Sequence, residues 1–147
     1  MGEAFLNQLC GSNFEAQSAG LERGELNPIV VEAMKELGLD ISRNRTKLVS
    51  ELYQSGHCFA YVITLCDEGK SQRVPIFPGM TTRLHWSFRD PSSYHGSRDY
   101  RLNRTRDIRD AVKAAIEAWC GRVCAASAAY QISFKPFYSQ KLNDPAE

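Results

Sequence analysis

The stretch Phe59-Ala60-Tyr61-Val62-Ile63-Thr64-Leu65-Cys66 decides the fold class of this chain. It is almost continuously apolar and rich in β-branched and aromatic residues, which is typical of a strand buried on both faces of a parallel sheet. Polar residues follow at once, beginning with Asp67. The stretch therefore predicts a buried strand whose carboxyl end opens onto a loop.

Helical patterns lie on both sides of this strand. Asn27-Pro28 is an N-cap followed by proline at the first helical position, and apolar residues then repeat at helical spacing until Gly38. Further predicted elements are a helix at Met1 to Cys10, a strand at Phe14 to Ser18, a helical turn at Thr46 to Tyr53, a strand at Leu84 to Phe88 and a long helix at Asp99 to Cys120. Alternating strands and helices predict an α/β three-layer sandwich with a small parallel sheet. Its sites should lie beyond the carboxyl ends of the strands.

The composition fits one domain with a proper core, because the chain has 147 residues of which 43% are hydrophobic. Lys+Arg 18 against Asp+Glu 17 gives a net charge of +1, so nothing indicates a nucleic acid or an anionic membrane as partner. Without a recognisable membrane span or signal peptide, a cytoplasmic protein is expected. An alanine-rich stretch follows Cys124, so we assign residues 1–125 to the domain and 126–147 to a C-terminal tail.

Five ordered segments resemble a known family. They are Ser18-Ala19-Gly20, Asn27-Pro28, Met34 to Ser42, Val62-Ile63-Thr64-Leu65-Cys66-Asp67 and His85-Trp86-Ser87-Phe88-Arg89-Asp90-Pro91. Over Met1 to about Trp119 they resemble the low-molecular-weight protein tyrosine phosphatase superfamily, and most closely its thiol-dependent arsenate reductases. The resemblance implies a cysteine nucleophile that acts on arsenate or on phosphate-ester oxyanions.

The anion-binding loop of that family is missing from this sequence. Proteins of that family begin with a buried strand followed by a Cys-x5-Arg loop, and no Cys-x5-Arg motif occurs in this sequence. The resemblance places the missing strand centrally, between Phe14 to Ser18 and Phe59 to Cys66, so its loss would leave unsatisfied backbone groups on two edges. We therefore expect the chain to be inactive as given, and a start assigned at an internal methionine would explain the gap.

Two residues are candidates for chemistry. By the resemblance, Asp90 is the general acid that protonates the leaving group, although an Asp-Pro turn closing a strand is the alternative interpretation. Cys66 resembles the resolving cysteine that attacks the thiol–arsenic adduct, and its alternative is a small buried hydrophobe. Val74 stands where the third cysteine of that relay is expected. An external thiol donor, glutathione with a glutaredoxin or else thioredoxin, is therefore implied as partner.

The five cysteines are an odd number without framework spacing, which predicts free thiols in a reducing compartment. Cys120 and Cys124 share a helix face and could supply redox thiols, but cysteines at this spacing rarely meet disulfide geometry. Cys66 to Arg73 spells Cys-x6-Arg, and its acidic residues exclude an anion cradle. The three histidines show no metal-ligand spacing, so neither a metal nor a cofactor is predicted.

The arginines and aspartates that alternate from Asp99 to Asp110 are interpreted as a solvated helix face with intrahelical ion pairs.

Two functions remain open from the sequence. The first is an arsenate reductase or phosphatase that lacks its nucleophile loop, and the second is a binding or regulatory module of the same fold. A module of the second kind would have to repair the central gap, either with the strand-like segment Tyr130 to Tyr138 or by swapped dimerisation.

Overall fold

The computed structural model describes residues 1–66 and 68–133, with side chains described as far as residue 126. Its elements are α1 (Gly2–Cys10), α2 (Pro28–Lys35), α3 (Val49–Gln54), β1 (Tyr61–Thr64), α4 (Glu68–Ser71), β2 (Thr82–His85), a 3-10 turn (Pro91–Ser93) and α5 (Arg98–Ser133). The mixed α/β architecture with a small parallel sheet confirms the predicted fold class. No helix among the described residues is long and apolar enough to cross a membrane.

The sheet consists of β1 and β2, which pair in parallel from Tyr61 opposite Thr82 to Thr64 opposite His85. The strand predicted at Phe59 to Cys66 is confirmed as β1, but it is shorter, and its residues are half-buried rather than fully buried. The strand predicted at Leu84 to Phe88 is observed as β2, which begins earlier and spans Thr82–His85. This shift arises because the backbone of Thr82 already bonds to Ala60, which brings two polar residues into the ladder.

The strand predicted at Phe14 to Ser18 does not form, and the two side chains that hold this segment come from α1. The Asn7 side-chain amide binds both backbone groups of Ala16, at 2.8 Å and 3.1 Å. The Glu3 carboxylate accepts hydrogen bonds from the Ser18 backbone N–H at 2.7 Å and from its hydroxyl at 2.6 Å. Within the described residues, no strand lies beside Phe14 to Ser18, so a sequence with strand character stays outside the sheet.

The core lies between α1, α5 and one face of the sheet. Phe5 of α1 and Ile116 of α5 are fully buried, and Trp119 of α5 is nearly so. Tyr61 and Ile63 of β1 pack against this cluster. The predicted long helix is present, and α5 extends beyond Cys120 as far as Ser133.

The boundary predicted at residue 126 falls inside α5, which continues without a break through residues 126–133. The strand-like segment Tyr130 to Tyr138 is therefore helical up to Ser133, and its remainder lies outside the described residues.

Helix α2 begins as the sequence predicts, with the Asn27 side chain accepting a hydrogen bond from the Ile29 N–H at 3.0 Å. Its last turn is tied to α5 by Arg109, which is only 6% exposed. The Arg109 guanidinium donates to the Ala33 carbonyl at 2.8 Å and to the Glu36 carboxylate at 2.9 Å. It thereby satisfies one of the backbone acceptors that a helix end leaves open.

The interpretation of the α5 arginines as a solvated face with intrahelical pairs is therefore wrong for two of them. Arg106 and Arg109 both bind Glu36 of the neighbouring helix segment. Arg104 does pair within α5, with Asp107 at 3.3 Å. Sequence spacing identifies only intrahelical partners, whereas the pairing across helices depends on how α2 packs.

Acid should weaken the contact between α2 and α5. Hydrogen bonds from Arg106, and then from Arg109, outweigh desolvation and lower the pKa of Glu36 from 4.5 to about 2. A carboxyl whose pKa is depressed in the folded state stabilises the fold above its unfolded pKa, and this stabilisation is lost as the pH falls through the folded pKa. The melting temperature of the chain should therefore exceed that of Glu36→Gln above pH 4.5, with a difference that shrinks towards pH 2.

Thermal melts followed by circular dichroism measure this difference across the pH range. Glu117→Gln is the matched control, because Glu117 pairs with Lys113 within α5 at 3.6 Å. A Glu36→Gln difference that stays constant from pH 5 to pH 2 would contradict the assignment of the depressed pKa to this carboxyl.

The prediction that all five cysteines are free thiols is wrong for one pair. Cys10 at the end of α1 forms a disulfide with Cys120 of α5, with Cα atoms 6.3 Å apart. The two residues are 110 positions apart in the sequence, so spacing could not reveal that helix packing brings them together. Cys58, Cys66 and Cys124 are free.

Candidate functional site

A cleft of about 580 Å³ opens between the segment Phe14 to Glu22 and β1. Apolar side chains reach it from α1, α3 and α5, including Leu6, Leu52 and Ile116. Its polar side chains come from α1 and the segment Phe14 to Glu22, and also from the loops that follow the strands. The cleft therefore runs along β1 and reaches its carboxyl end at Cys66.

Cys66 lies in this cleft, two residues after β1 ends at Thr64. Its thiol is free and half-buried. A short helix, Glu68–Ser71, begins close behind it, and the Arg73 guanidinium pairs with Glu22 at 3.7 Å. Cys66 and Arg73 are therefore separated by a helix and do not form a glycine-rich cradle.

Asp90 lies in the same cleft, at the end of the segment that follows β2. Its carboxylate accepts a hydrogen bond from the Ser92 N–H at 2.8 Å and caps the turn Pro91–Ser93. The side chain is exposed, so it is accessible to a ligand in the cleft. The turn interpretation and the general-acid interpretation of Asp90 are thus compatible in this geometry.

The two strands are also joined at their carboxyl ends by a pair of side chains that the sequence analysis did not identify. Thr64 Oγ1 and His85 Nδ1 lie 2.7 Å apart, within hydrogen-bond distance. This contact fixes the ends from which the chain continues to Cys66 and to Asp90. The sequence alone could not identify this contact, because it depends on the register that places Thr64 opposite His85.

Val74, which stands where a third relay cysteine is expected, also lines the cleft. The Arg83 guanidinium donates to the carbonyl of Val74 at 3.2 Å and to that of Pro75 at 3.3 Å. Arg83 of β2 thus holds this loop, which offers no thiol at position 74.

The remaining cysteines do not supply a nucleophile loop. Cys10 is 3% exposed at the end of α1, is bonded to Cys120, and has Ala16 rather than an arginine six residues further on. The sequence analysis considered Cys120 and Cys124 as possible redox thiols. Cys120 is bonded to Cys10 and is therefore not free, whereas Cys124 is free. Among the described residues, no group of three or more His, Cys, Asp or Glu side chains is placed to hold a metal ion.

No family model matches the chain, but individual proteins are similar to it. The chain is 35% identical over 125 residues to arsenate reductase 1 of Staphylococcus epidermidis, which covers 84% of this chain and 86% of that protein. It is 32% identical over 113 residues to the arsenate reductase of Bacillus subtilis, covering 76% and 78%.

Solved structures agree in fold. An arsenate reductase in the oxidized state superposes with a TM-score of 0.64 at 24% identity, covering 83% of this chain and 86% of that one. The same comparison with an arsenate reductase in the reduced state gives 0.63 at 23% identity, with the same coverage.

The fold and the site define an α/β protein with a free thiol at the carboxyl end of a parallel strand. With relatives above 30% identity over most of its length, the chain belongs to the arsenate reductase family that is similar to low-molecular-weight phosphatases.

Proposed function

We propose that this chain takes part in the thiol-dependent reduction of arsenate to arsenite, with Cys66 as the resolving thiol and Asp90 as the general acid. The observation that carries the proposal is that both residues line one cleft although they follow different strands. Its arsenate reductase relatives supply the substrate class. The proposed setting is arsenic resistance in the cytoplasm, where a glutathione–glutaredoxin system or thioredoxin can serve as thiol donor.

The proposed role of this chain is limited to the steps after the first covalent bond forms. Arsenate must first bond to a thiolate held in a cradle of N–H donors, and the sequence contains no Cys-x5-Arg motif to provide it. Cys66 then supplies the thiolate that attacks this adduct. Phosphate esters are the second substrate class that the resemblance implies, and their hydrolysis needs only the loop thiolate and Asp90.

A binding or regulatory module of the same fold is the second candidate function. It is favoured by the open cleft beside β1, which is apolar and accessible but carries no anion cradle.

The purified 147-residue chain should show no arsenate reduction or phosphatase turnover above background. The reason is that the covalent nucleophile and the oxyanion cradle are both absent from its sequence. Arsenite release is measured with glutathione and a glutaredoxin, and separately with thioredoxin and its reductase. Turnover that disappears in Cys66→Ser but persists in Cys58→Ser would contradict the proposal that a separate nucleophile is required.

A further inference from the structure

The disulfide between Cys10 and Cys120 is closed to solvent. Cys10 is 3% exposed and Cys120 is 7% exposed, and both belong to the main core cluster. Thiol–disulfide exchange requires a thiolate to reach one of the two sulfurs, so a dissolved thiol has no direct access to this bond while the helices are packed. A disulfide in the cytoplasm, the setting proposed for this chain, is usually redox-active rather than structural. Such a bond needs a route by which electrons reach it.

Cys124 is the thiol that is placed to provide this route. It is free and half-buried, and it packs against the same core cluster as the disulfide. It follows Cys120 by one turn of α5, and side chains at this spacing lie roughly 5–6 Å apart at their Cβ atoms. Cys124 therefore lies beside the disulfide and is accessible to solvent where the two bonded cysteines are not.

We propose that Cys10, Cys120 and Cys124 form a thiol–disulfide exchange site for small thiols of the glutathione type, separate from Cys66. Cys124 is the thiol that exchanges with solvent, and the buried pair is the disulfide that it opens and closes. The sulfur that Cys124 attacks is that of Cys10, because cysteines spaced as Cys120 and Cys124 are in one helix rarely meet disulfide geometry. Cys10 reaches them from α1, which packs against α5.

Reduction of the site proceeds by three exchanges. The Cys124 thiolate attacks the Cys10 sulfur, a Cys10–Cys124 bond forms, and Cys120 leaves with the electron pair and takes up a proton. A glutathione thiolate then attacks the Cys124 sulfur and releases Cys10 as a thiol. A second glutathione attacks the glutathione sulfur of this mixed disulfide, which frees Cys124 and yields oxidized glutathione. Two glutathiones thus supply the two electrons that reduce one protein disulfide, and oxidized glutathione drives the same steps in reverse.

Reduction kinetics of the full chain test the role of Cys124. The oxidized chain is incubated with glutathione, samples are alkylated with iodoacetamide in denaturant, and mass spectrometry measures how much of Cys10 and Cys120 has become free. Cys124→Ser should lose the disulfide about tenfold more slowly than the parent chain, or slower still, because a hydroxyl cannot exchange with a disulfide. Cys58→Ser is the matched control and should react at the parent rate, since Cys58 is a free thiol on the exposed surface.

Two further variants trap the intermediates and do not depend on rates. Cys120→Ala, treated with oxidized glutathione, should form a Cys10–Cys124 disulfide. Cys10→Ala should stop at a mixed disulfide of glutathione with Cys124, because Cys120 and Cys124 do not close a bond within one helix. Alanine is used at both buried positions because it adds no polar group to the core, and thermal melts verify that each variant folds.

Several results would overturn the inference. Equal reduction rates in Cys124→Ser and in the parent chain would show that the bond opens without Cys124. A Cys120–Cys124 disulfide in Cys10→Ala, or glutathione that stays bound to Cys120→Ala without a Cys10–Cys124 bond, would contradict the order of the exchanges. Absence of a Cys10–Cys120 bond from the oxidized parent chain would remove the site altogether. These experiments contain no arsenate and leave Cys66 unaltered, so the proposed function is tested separately.

Discussion

Cys66→Ser is expected to abolish arsenite release by a chain that has been extended at Met1 with an engineered strand and Cys-x5-Arg loop. In this extended chain the loop thiolate bonds to arsenic, and the Cys66 thiolate then attacks the loop sulfur. The new S–S bond forms as the S–As bond breaks, and the electron pair of that bond leaves with arsenic as arsenite. A serine hydroxyl cannot perform this exchange. Release should therefore fall to the uncatalysed background.

The same substitution should leave hydrolysis of a phosphate ester nearly unchanged, because that reaction needs no second thiol. Cys58→Ser is the matched control, since Cys58 is a free, exposed thiol that does not line the cleft. Because Val74 provides no third thiol, the disulfide should be reduced by glutathione with a glutaredoxin. Arsenite release that persists in Cys66→Ser, or a disulfide from Cys66 to Cys124 found by mass spectrometry after turnover, would show that the relay is assigned wrongly.

Asp90→Asn should slow ester hydrolysis by the same extended chain by roughly 10²–10⁴-fold, which is the usual contribution of a positioned general acid. The carboxyl lies at the cleft and can donate a proton to the leaving oxygen when it is protonated. An asparagine keeps the side-chain carbonyl that accepts from the Ser92 N–H, so the cap of the turn should survive. The substitution therefore removes the acid and preserves the local structure.

Asp40→Asn provides a closely matched control for this experiment. Asp40 accepts a hydrogen bond from the Ser42 N–H at 2.9 Å, almost the same contact that Asp90 makes with Ser92 at 2.8 Å. Asp40 does not line the cleft. Single-turnover rates of ester hydrolysis should fall in Asp90→Asn and not in Asp40→Asn, and equal rates in both variants would return Asp90 to a purely structural role.

Local signals in the sequence predicted most elements and failed where a partner was needed. Asn27-Pro28 specifies the start of α2 by capping chemistry alone, and the structure confirms it. Phe14 to Ser18 has strand character, but a strand also requires a neighbour to pair with. That neighbour is absent from the described residues, and the Asn7 and Glu3 side chains bind the segment instead.

The candidate site also has features that the sequence predicts and one that depends on the fold. The positions of Cys66 and Asp90 after strand-like stretches could be read from the sequence, because parallel strands end at one edge of a sheet. The contact between Thr64 and His85 could not, since it depends on the register of β1 against β2.

The sequence by itself determined the α/β class, the family resemblance, the missing Cys-x5-Arg motif and the residues that could carry chemistry. These depend on residue identity and short-range spacing, which the chain specifies without folding. Only the tertiary structure decided that Arg106 and Arg109 join α5 to Glu36, that Cys10 lies against Cys120, and that Cys66 and Asp90 line one cleft. Each of these depends on contacts between residues distant in the sequence, and such contacts are fixed when the helices pack on the sheet.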